Sequence, residues 1–77
     1  LNRGAAVGPY DKLIIDVYGM KDLSARPITV DAGGHISFPL TGSFNVSGMT
    51  AGEIENELER RLQAAYVRDP QVSVNLE

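Results

Sequence analysis

The side chains best suited to catalysis lie around His35, the only histidine of the chain. Ser37 follows it by two residues on a predicted strand, and Asp31 precedes it in the adjoining turn. A serine, a histidine and an acid can act as nucleophile, general base and orienting group, but such triads unite groups from separate segments. We therefore interpret the three residues as the polar outer face of a hairpin, with His35 better suited to binding than to catalysis. The sequence predicts that the protein is not an enzyme.

Four glutamates alternate along a predicted helix and resemble a carboxylate cluster: Glu53, Glu55, Glu57 and Glu59. Two residues turn a helix by about 200°, so these side chains divide into the pairs 53/57 and 55/59. Neither pair has a histidine or a third carboxylate at the spacing of a metal site, and the chain has no cysteine. We predict a solvated helix face with Glu57 and Arg61 as an ion pair, and no metal or other cofactor.

The composition indicates one small globular domain. Its 77 residues are 43% hydrophobic and 22% charged, and seven basic against ten acidic residues give a net charge of −3. This charge has the wrong sign for a phosphate-binding surface, so we exclude nucleic acid as a partner. No apolar run approaches the ~18 residues that span a bilayer. We interpret residues 1–77 as a single domain excised from a longer protein, with residues 1–7 as a loose lead-in.

Alternating apolar residues predict five short strands, over residues 12–18, 28–30, 35–38, 44–46 and 72–76. One helix is predicted from Thr50 to about Tyr66. Its start carries a capping box, Thr50 with Glu53, and its apolar stripe runs through Ile54, Leu58, Leu62 and either Ala65 or Tyr66. The sequence thus predicts an α+β fold: a small mixed or antiparallel sheet of about five strands packed on one amphipathic helix, in the order β-β-β-β-α-β.

Three side chains are predicted to be available for contact on or beside the first strand. Ile14 interrupts the polar face of that strand, which indicates that this face is partly covered. Tyr10 and Tyr18 flank the strand, whereas Phe38 and Phe44 alternate in step with the predicted core. Aromatic rings contribute much of the contact area in binding sites, so the two tyrosines are the better candidates for contact with a sugar or a subunit.

Five motifs, in order and at matching spacing, resemble the bacterial polysaccharide export family (Wza-type outer-membrane auxiliary proteins). Residues 7–19 resemble its opening LGPGDVLxIxVxG, and Asp22-Leu23-Ser24 follows at the family's spacing. Residues 30–42 resemble VxxDGxIxxPLxG, residues 46–54 resemble VxGLTxxEl, and residues 69–74 resemble the closing xPqVxV. Two positions depart from the pattern. Tyr10 stands where the family commonly has the second glycine of its turn, and Gly33 replaces the usual aspartate of the hairpin.

The resemblance implies a non-catalytic periplasmic domain of a Gram-negative exporter of capsular or exopolysaccharide. It implies a homo-oligomeric ring attached to the outer membrane, contact with an inner-membrane polysaccharide co-polymerase, and membrane association only through segments outside these 77 residues. In that setting Ile14 and Tyr18 are expected to contact neighbouring subunits. The alternative is a small saccharide-binding module in which Tyr10, Tyr18 and His35 touch the ligand directly.

Overall fold

The computed structural model describes residues 4–24 and 26–77. The elements in chain order are β1 (Lys12–Val17), a 3₁₀ turn (Lys21–Leu23), β2 (Arg26–Thr29), β3 (His35–Phe38), β4 (Gly42–Asn45), α1 (Ala51–Ala64) and β5 (Val72–Leu76). The predicted α+β class and the order β-β-β-β-α-β are confirmed. All strand pairs are antiparallel, and they form a three-stranded sheet in the order β2-β1-β5 and a separate β3-β4 pair.

The three-stranded sheet has one face in the core, as the alternation along β1 predicts. Leu13, Ile15 and Val17 are completely buried, and they lie opposite residues of β5 such as Val72 and Val74. Successive side chains of a strand point to opposite faces of the sheet. The intervening residues of β1 therefore form a second face, and they are exposed or half-buried.

The β3-β4 pair adds its own apolar residues, Ile36, Phe38 and Phe44, to the same core. The sequence predicts Asp31–Gly34 as a hairpin connection. Because β2 pairs with β1 and β3 pairs with β4, this turn instead links the two sheets. Gly34 has φ +85°, the left-handed conformation that glycine adopts without steric cost.

The helix begins as predicted. The Thr50 hydroxyl accepts a hydrogen bond from the Glu53 amide at 3.3 Å, and the Glu53 carboxylate accepts one from the Thr50 amide at 2.9 Å. Ile54, Leu58 and Leu62 are completely buried, so the apolar stripe packs into the core. The helix ends at Ala64, two residues before the predicted end.

Val7 corrects the prediction of a loose lead-in over residues 1–7. Its side chain is 2% exposed and belongs to the core. Its amide donates to the Met49 carbonyl at 2.9 Å, and its carbonyl accepts from the Gly48 amide at 2.8 Å. A single apolar residue has no periodicity, which is why the pattern missed this anchor. Residues 1–3 of the predicted lead-in lie outside the described residues.

Candidate functional site

The structure places the four predicted contact residues in two groups. Tyr10 and His35 are linked by backbone hydrogen bonds to the same short segment after β2. The Tyr10 amide donates to the Val30 carbonyl at 2.8 Å, and the amide of the next residue, Asp31, donates to the His35 carbonyl at 3.0 Å. Tyr18 follows the opposite end of β1, and a six-residue strand spans about 20 Å. One small ligand therefore cannot touch all of them. Tyr10 and Tyr18 are 69% and 82% exposed.

Ile14 lies at the centre of the solvent-facing side of the three-stranded sheet. Its cross-strand neighbours are Pro27 on β2 and Asn75 on β5. Directly paired residues of antiparallel strands share a face. We name this surface the outer sheet face, formed by Lys12, Ile14, Asp16, Pro27, Thr29, Ser73 and Asn75. Ile14 is half-buried, with Pro27 beside it on β2 and polar side chains at the other positions of this face.

The helix closes one edge of this sheet with two carboxylates. The Val74 amide donates to Glu55 Oε2 at 2.8 Å, and the Val72 amide donates to Glu59 Oε2 at 3.0 Å. Strand β5 is at the end of the strand order, so these amides would otherwise be open to pairing with another strand. The prediction that Glu55 and Glu59 form a solvated face is therefore wrong, because both satisfy backbone donors of an edge strand.

The predicted pair of Glu57 and Arg61 is confirmed, with Arg61 Nε donating to Glu57 Oε2 at 2.6 Å. Hydrogen bonds from Arg60, and then from Arg61, hold the pKa of the Glu57 carboxyl below its ordinary value. Arg61 also donates to the Thr41 carbonyl at 3.1 Å, and its guanidinium lies 4.3 Å from the centre of the Phe44 ring. Arg61 thereby fastens α1 to the β3-β4 hairpin.

His35 and Asp31 adjoin, with 3.8 Å between His35 Nδ1 and Asp31 Oδ1. The same Asp31 oxygen accepts hydrogen bonds from the His35 amide at 2.8 Å and from the Gly33 amide at 2.9 Å. These bonds, that of His35 first, lower the pKa of the Asp31 carboxyl. Ser37 lies exposed on the same strand. Asp31 thus organises the turn between β2 and β3, and the exposure of His35 and Ser37 agrees with a polar outer face, although the turn is not that of a hairpin.

The acidic side chains of the helix are engaged with the backbone or with arginine. Glu53 belongs to the capping box, and the other three glutamates make the contacts described above. Across residues 4–24 and 26–77, no three histidine or carboxylate side chains converge as a metal site requires. Within the same ranges, no helix has the length and apolar character needed to cross a membrane.

Two surface cavities flank the C-terminal end of α1. One has a volume of about 540 Å³ and is lined by Gln63, Tyr66, Val67, Arg68 and Asp69. The other, of about 410 Å³, is lined by Leu40, Thr41, Arg60, Arg61, Ala64 and Ala65. Tyr66 is 93% exposed and Ala65 is half-buried, so of the two residues predicted to end the helical stripe, Ala65 fits and Tyr66 does not.

The comparisons with known proteins agree with the resemblance in the sequence. A family model described as polysaccharide biosynthesis/export protein matches residues 2–77. No curated protein matches the chain.

Proposed function

The chain belongs to the polysaccharide biosynthesis/export protein family, and on that basis we propose that it is the periplasmic domain of an outer-membrane exporter of capsular or exopolysaccharide. The domain is non-catalytic in this proposal. It contributes to a ring of identical subunits and to the path that the polysaccharide follows. The observation that carries the proposal is the extent of the family match, residues 2–77 of a 77-residue chain.

The roles of the polar side chains support a non-catalytic domain. A catalytic acid or base must reach a substrate with its functional atoms. Here Asp31 holds a turn through two backbone amides, and Glu55 and Glu59 hold the edge of a sheet. These carboxylates have structural partners, and His35 and Ser37 lie exposed on β3.

Export-family membership supports a location in the cell envelope. We place the domain in the periplasm of a Gram-negative bacterium, where it would meet the polysaccharide between the two membranes. Attachment to the outer membrane and contact with an inner-membrane polysaccharide co-polymerase belong to the same proposal, and both would be made within the complete exporter.

The outer sheet face is the surface that we assign to contacts between subunits. A two-layer domain buries one face of each sheet, and its second face meets solvent or a partner. Ile14 and Pro27 place apolar surface at the centre of this face, and Lys12 and Asp16 supply polar groups around it. An apolar centre inside a polar rim is the usual anatomy of a protein interface. Tyr18 extends the face past the end of β1.

The substitution Ile14→Glu tests this assignment in the oligomeric exporter. A carboxylate at the centre of the interface would have to be desolvated on assembly, so we expect a smaller particle mass by light scattering. Ser43→Glu is the matched control because Ser43 is exposed on β4, in the other sheet, and acquires the same charge. A ring mass unchanged by Ile14→Glu would refute the assignment.

Direct saccharide binding is the second candidate, favoured by the exposure of Tyr10 beside the turn that carries His35. Titration of the chain with oligosaccharide, followed by amide NMR, tests it. Shifts clustered over residues 31–37 would support this candidate, and no shifts at millimolar sugar would eliminate it.

A further inference from the structure

The larger cavity at the end of α1 has the lining of a small-ligand site. We name it the helix-end cleft, lined by Gln63, Tyr66, Val67, Arg68 and Asp69. Its volume is about 540 Å³, and four of its five lining residues are exposed, so it is a shallow, open depression on which a ligand would stay partly solvated. None of the four residues predicted to make contact lies in it, so the cleft is a separate surface.

The backbone holds Tyr66 firmly in place at the end of the helix. The Tyr66 amide donates to the Gln63 carbonyl at 3.0 Å, and the Val67 amide donates to the Leu62 carbonyl at 2.9 Å. These two bonds form a Schellman motif, in which the residue at the position of Tyr66 takes a left-handed conformation and is usually glycine. Tyr66 has φ +68°. The half-buried Val67 packs against the core and completes the motif.

Burial of the Tyr66 side chain does not offset the strain of this backbone, because the side chain is 93% exposed. A residue kept in a left-handed conformation with a large exposed ring is costly for the fold alone. The arrangement presents an aromatic ring on a fixed backbone. Because the backbone is held, stacking of a flat apolar surface on the ring restricts only the side-chain rotamers of Tyr66.

Polar groups of both kinds accompany the ring. The Gln63 amide can donate and accept hydrogen bonds, the Arg68 guanidinium donates, and the Asp69 carboxylate accepts. Within residues 4–24 and 26–77, the structure records no hydrogen bond or ion pair for these three side chains. A pyranose ring has an apolar C–H face and an edge of hydroxyl groups that both donate and accept. The cleft therefore matches a sugar in both respects.

We propose that the helix-end cleft binds one neutral pyranose unit of a polysaccharide, stacked on Tyr66 and hydrogen-bonded through Gln63, Arg68 and Asp69. This inference rests on the proposed function, which brings the domain into contact with a polysaccharide. The charges favour a neutral sugar because one arginine and one aspartate line the cleft together. Nearby, Arg60 and Arg61 share the single carboxylate of Glu57, which leaves one positive charge beside the cleft, and the acidic probe below tests whether this charge selects an acidic sugar instead.

Amide NMR of the ¹⁵N-labelled chain tests the proposal with three probes: cellohexaose and maltohexaose, which are neutral, and an alginate hexamer, which is acidic. We expect a neutral probe to shift amides of residues 62–69 with a dissociation constant in the millimolar range. Tyr66→Ala should remove these shifts, whereas Tyr66→Phe, which keeps the ring, should retain the affinity within about threefold. Tyr66→Gly separates binding from folding, because it should remove the shifts while raising the melting temperature.

Three outcomes would overturn the proposal. The first is no shift in residues 62–69 with either neutral probe at 20 mM, and the second is a shift that Tyr66→Ala leaves intact. The third is a response to the alginate hexamer alone, which would assign the cleft to acidic sugars. Failure here would leave the proposed ring assembly standing, because ring mass is measured without any sugar. An unchanged ring mass in Ile14→Glu would equally leave the sugar titration interpretable.

Discussion

Replacing Glu55 and Glu59 together by alanine tests whether α1 stabilises the sheet by closing its edge. Each carboxylate accepts one hydrogen bond from β5, from Val74 at 2.8 Å and from Val72 at 3.0 Å. A hydrogen bond to a charged group contributes about 1.5–3 kcal/mol. Both bonds are partly buried, so water can replace part of each contribution. We therefore assign roughly 1–1.5 kcal/mol to each bond.

The double variant Glu55→Ala/Glu59→Ala should then lose about 2–3 kcal/mol of unfolding free energy. Alanine has the higher helix propensity, so the helix itself does not account for a loss. A core of this size supplies only about 3–5 kcal/mol. The variant should accordingly melt roughly 10–20 °C below the parent, since each kcal/mol shifts the melting temperature of a small domain by ~4–8 °C.

Urea denaturation followed by far-UV circular dichroism measures the loss, because the chain has no tryptophan. Amide hydrogen exchange locates the loss, and the amides of Val72 and Val74 should lose protection beyond the global change. Glu55→Gln/Glu59→Gln is the matched control. It keeps an acceptor oxygen at each position but removes the charge, so it should lose about half as much.

The result that would refute this reasoning is a double alanine variant within about 0.5 kcal/mol of the parent with Val72 and Val74 still protected. An intermediate result is also informative. Normal stability combined with concentration-dependent association would mean that the carboxylates protect the edge from pairing with other strands, without contributing to the stability of the monomer.

Two further predictions concern turns. Gly34→Ala and Gly42→Ala, at φ +85° and φ +73°, should each cost about 1–2 kcal/mol in urea denaturation because a residue with a side chain is strained there. Gly34→Ala should cost slightly more, because the exposed Ser47 hydroxyl, 1.9 Å from the new Cβ, must rotate away and Ser47 Cβ lies 3.1 Å from it; a smaller loss for Gly34→Ala than for Gly42→Ala would contradict this reasoning. The hydrogen bond from the His35 amide is the chief reason that the pKa of Asp31 is lowered in the folded state. The ionised carboxylate therefore stabilises the fold at pH values above the unfolded pKa of about 3.9. This contribution disappears as the pH falls through the folded pKa. Asp31→Asn should therefore make the melting temperature less dependent on pH below about pH 4, and parallel curves for the two proteins would contradict this assignment.

Local patterns in the sequence predicted the elements well. The alternation of Leu13, Ile15 and Val17 gives the buried face of β1, and the capping box of Thr50 and Glu53 gives the start of α1. Both features depend on residues within a few positions of each other. Nearest-neighbour chemistry of this kind is what a single sequence displays most directly.

The features that the sequence did not predict depend on distant residues. The bonds from Glu55 and Glu59 reach 19 and 13 positions along the chain, and no spacing within the helix indicates them. The division of the strands into two sheets depends in the same way on which strands pair, and alternation leaves this open. In the candidate site, exposure of Tyr10 and Tyr18 agrees with the prediction, but their separation along β1 follows only from the fold.

Three of the four exposed large apolar side chains raise a question that stability alone does not answer. Tyr10, Leu40 and Tyr66 have φ between +68° and +70°, and their exposed fractions are 69%, 58% and 93%. A left-handed conformation costs a residue with a side chain about 1–2 kcal/mol, so the three together cost roughly 3–6 kcal/mol. This approaches the ~3–5 kcal/mol that so small a core supplies. Burial inside the domain does not offset this cost. In the proposed function, a ring of subunits and the exported polysaccharide would supply contacts for these side chains.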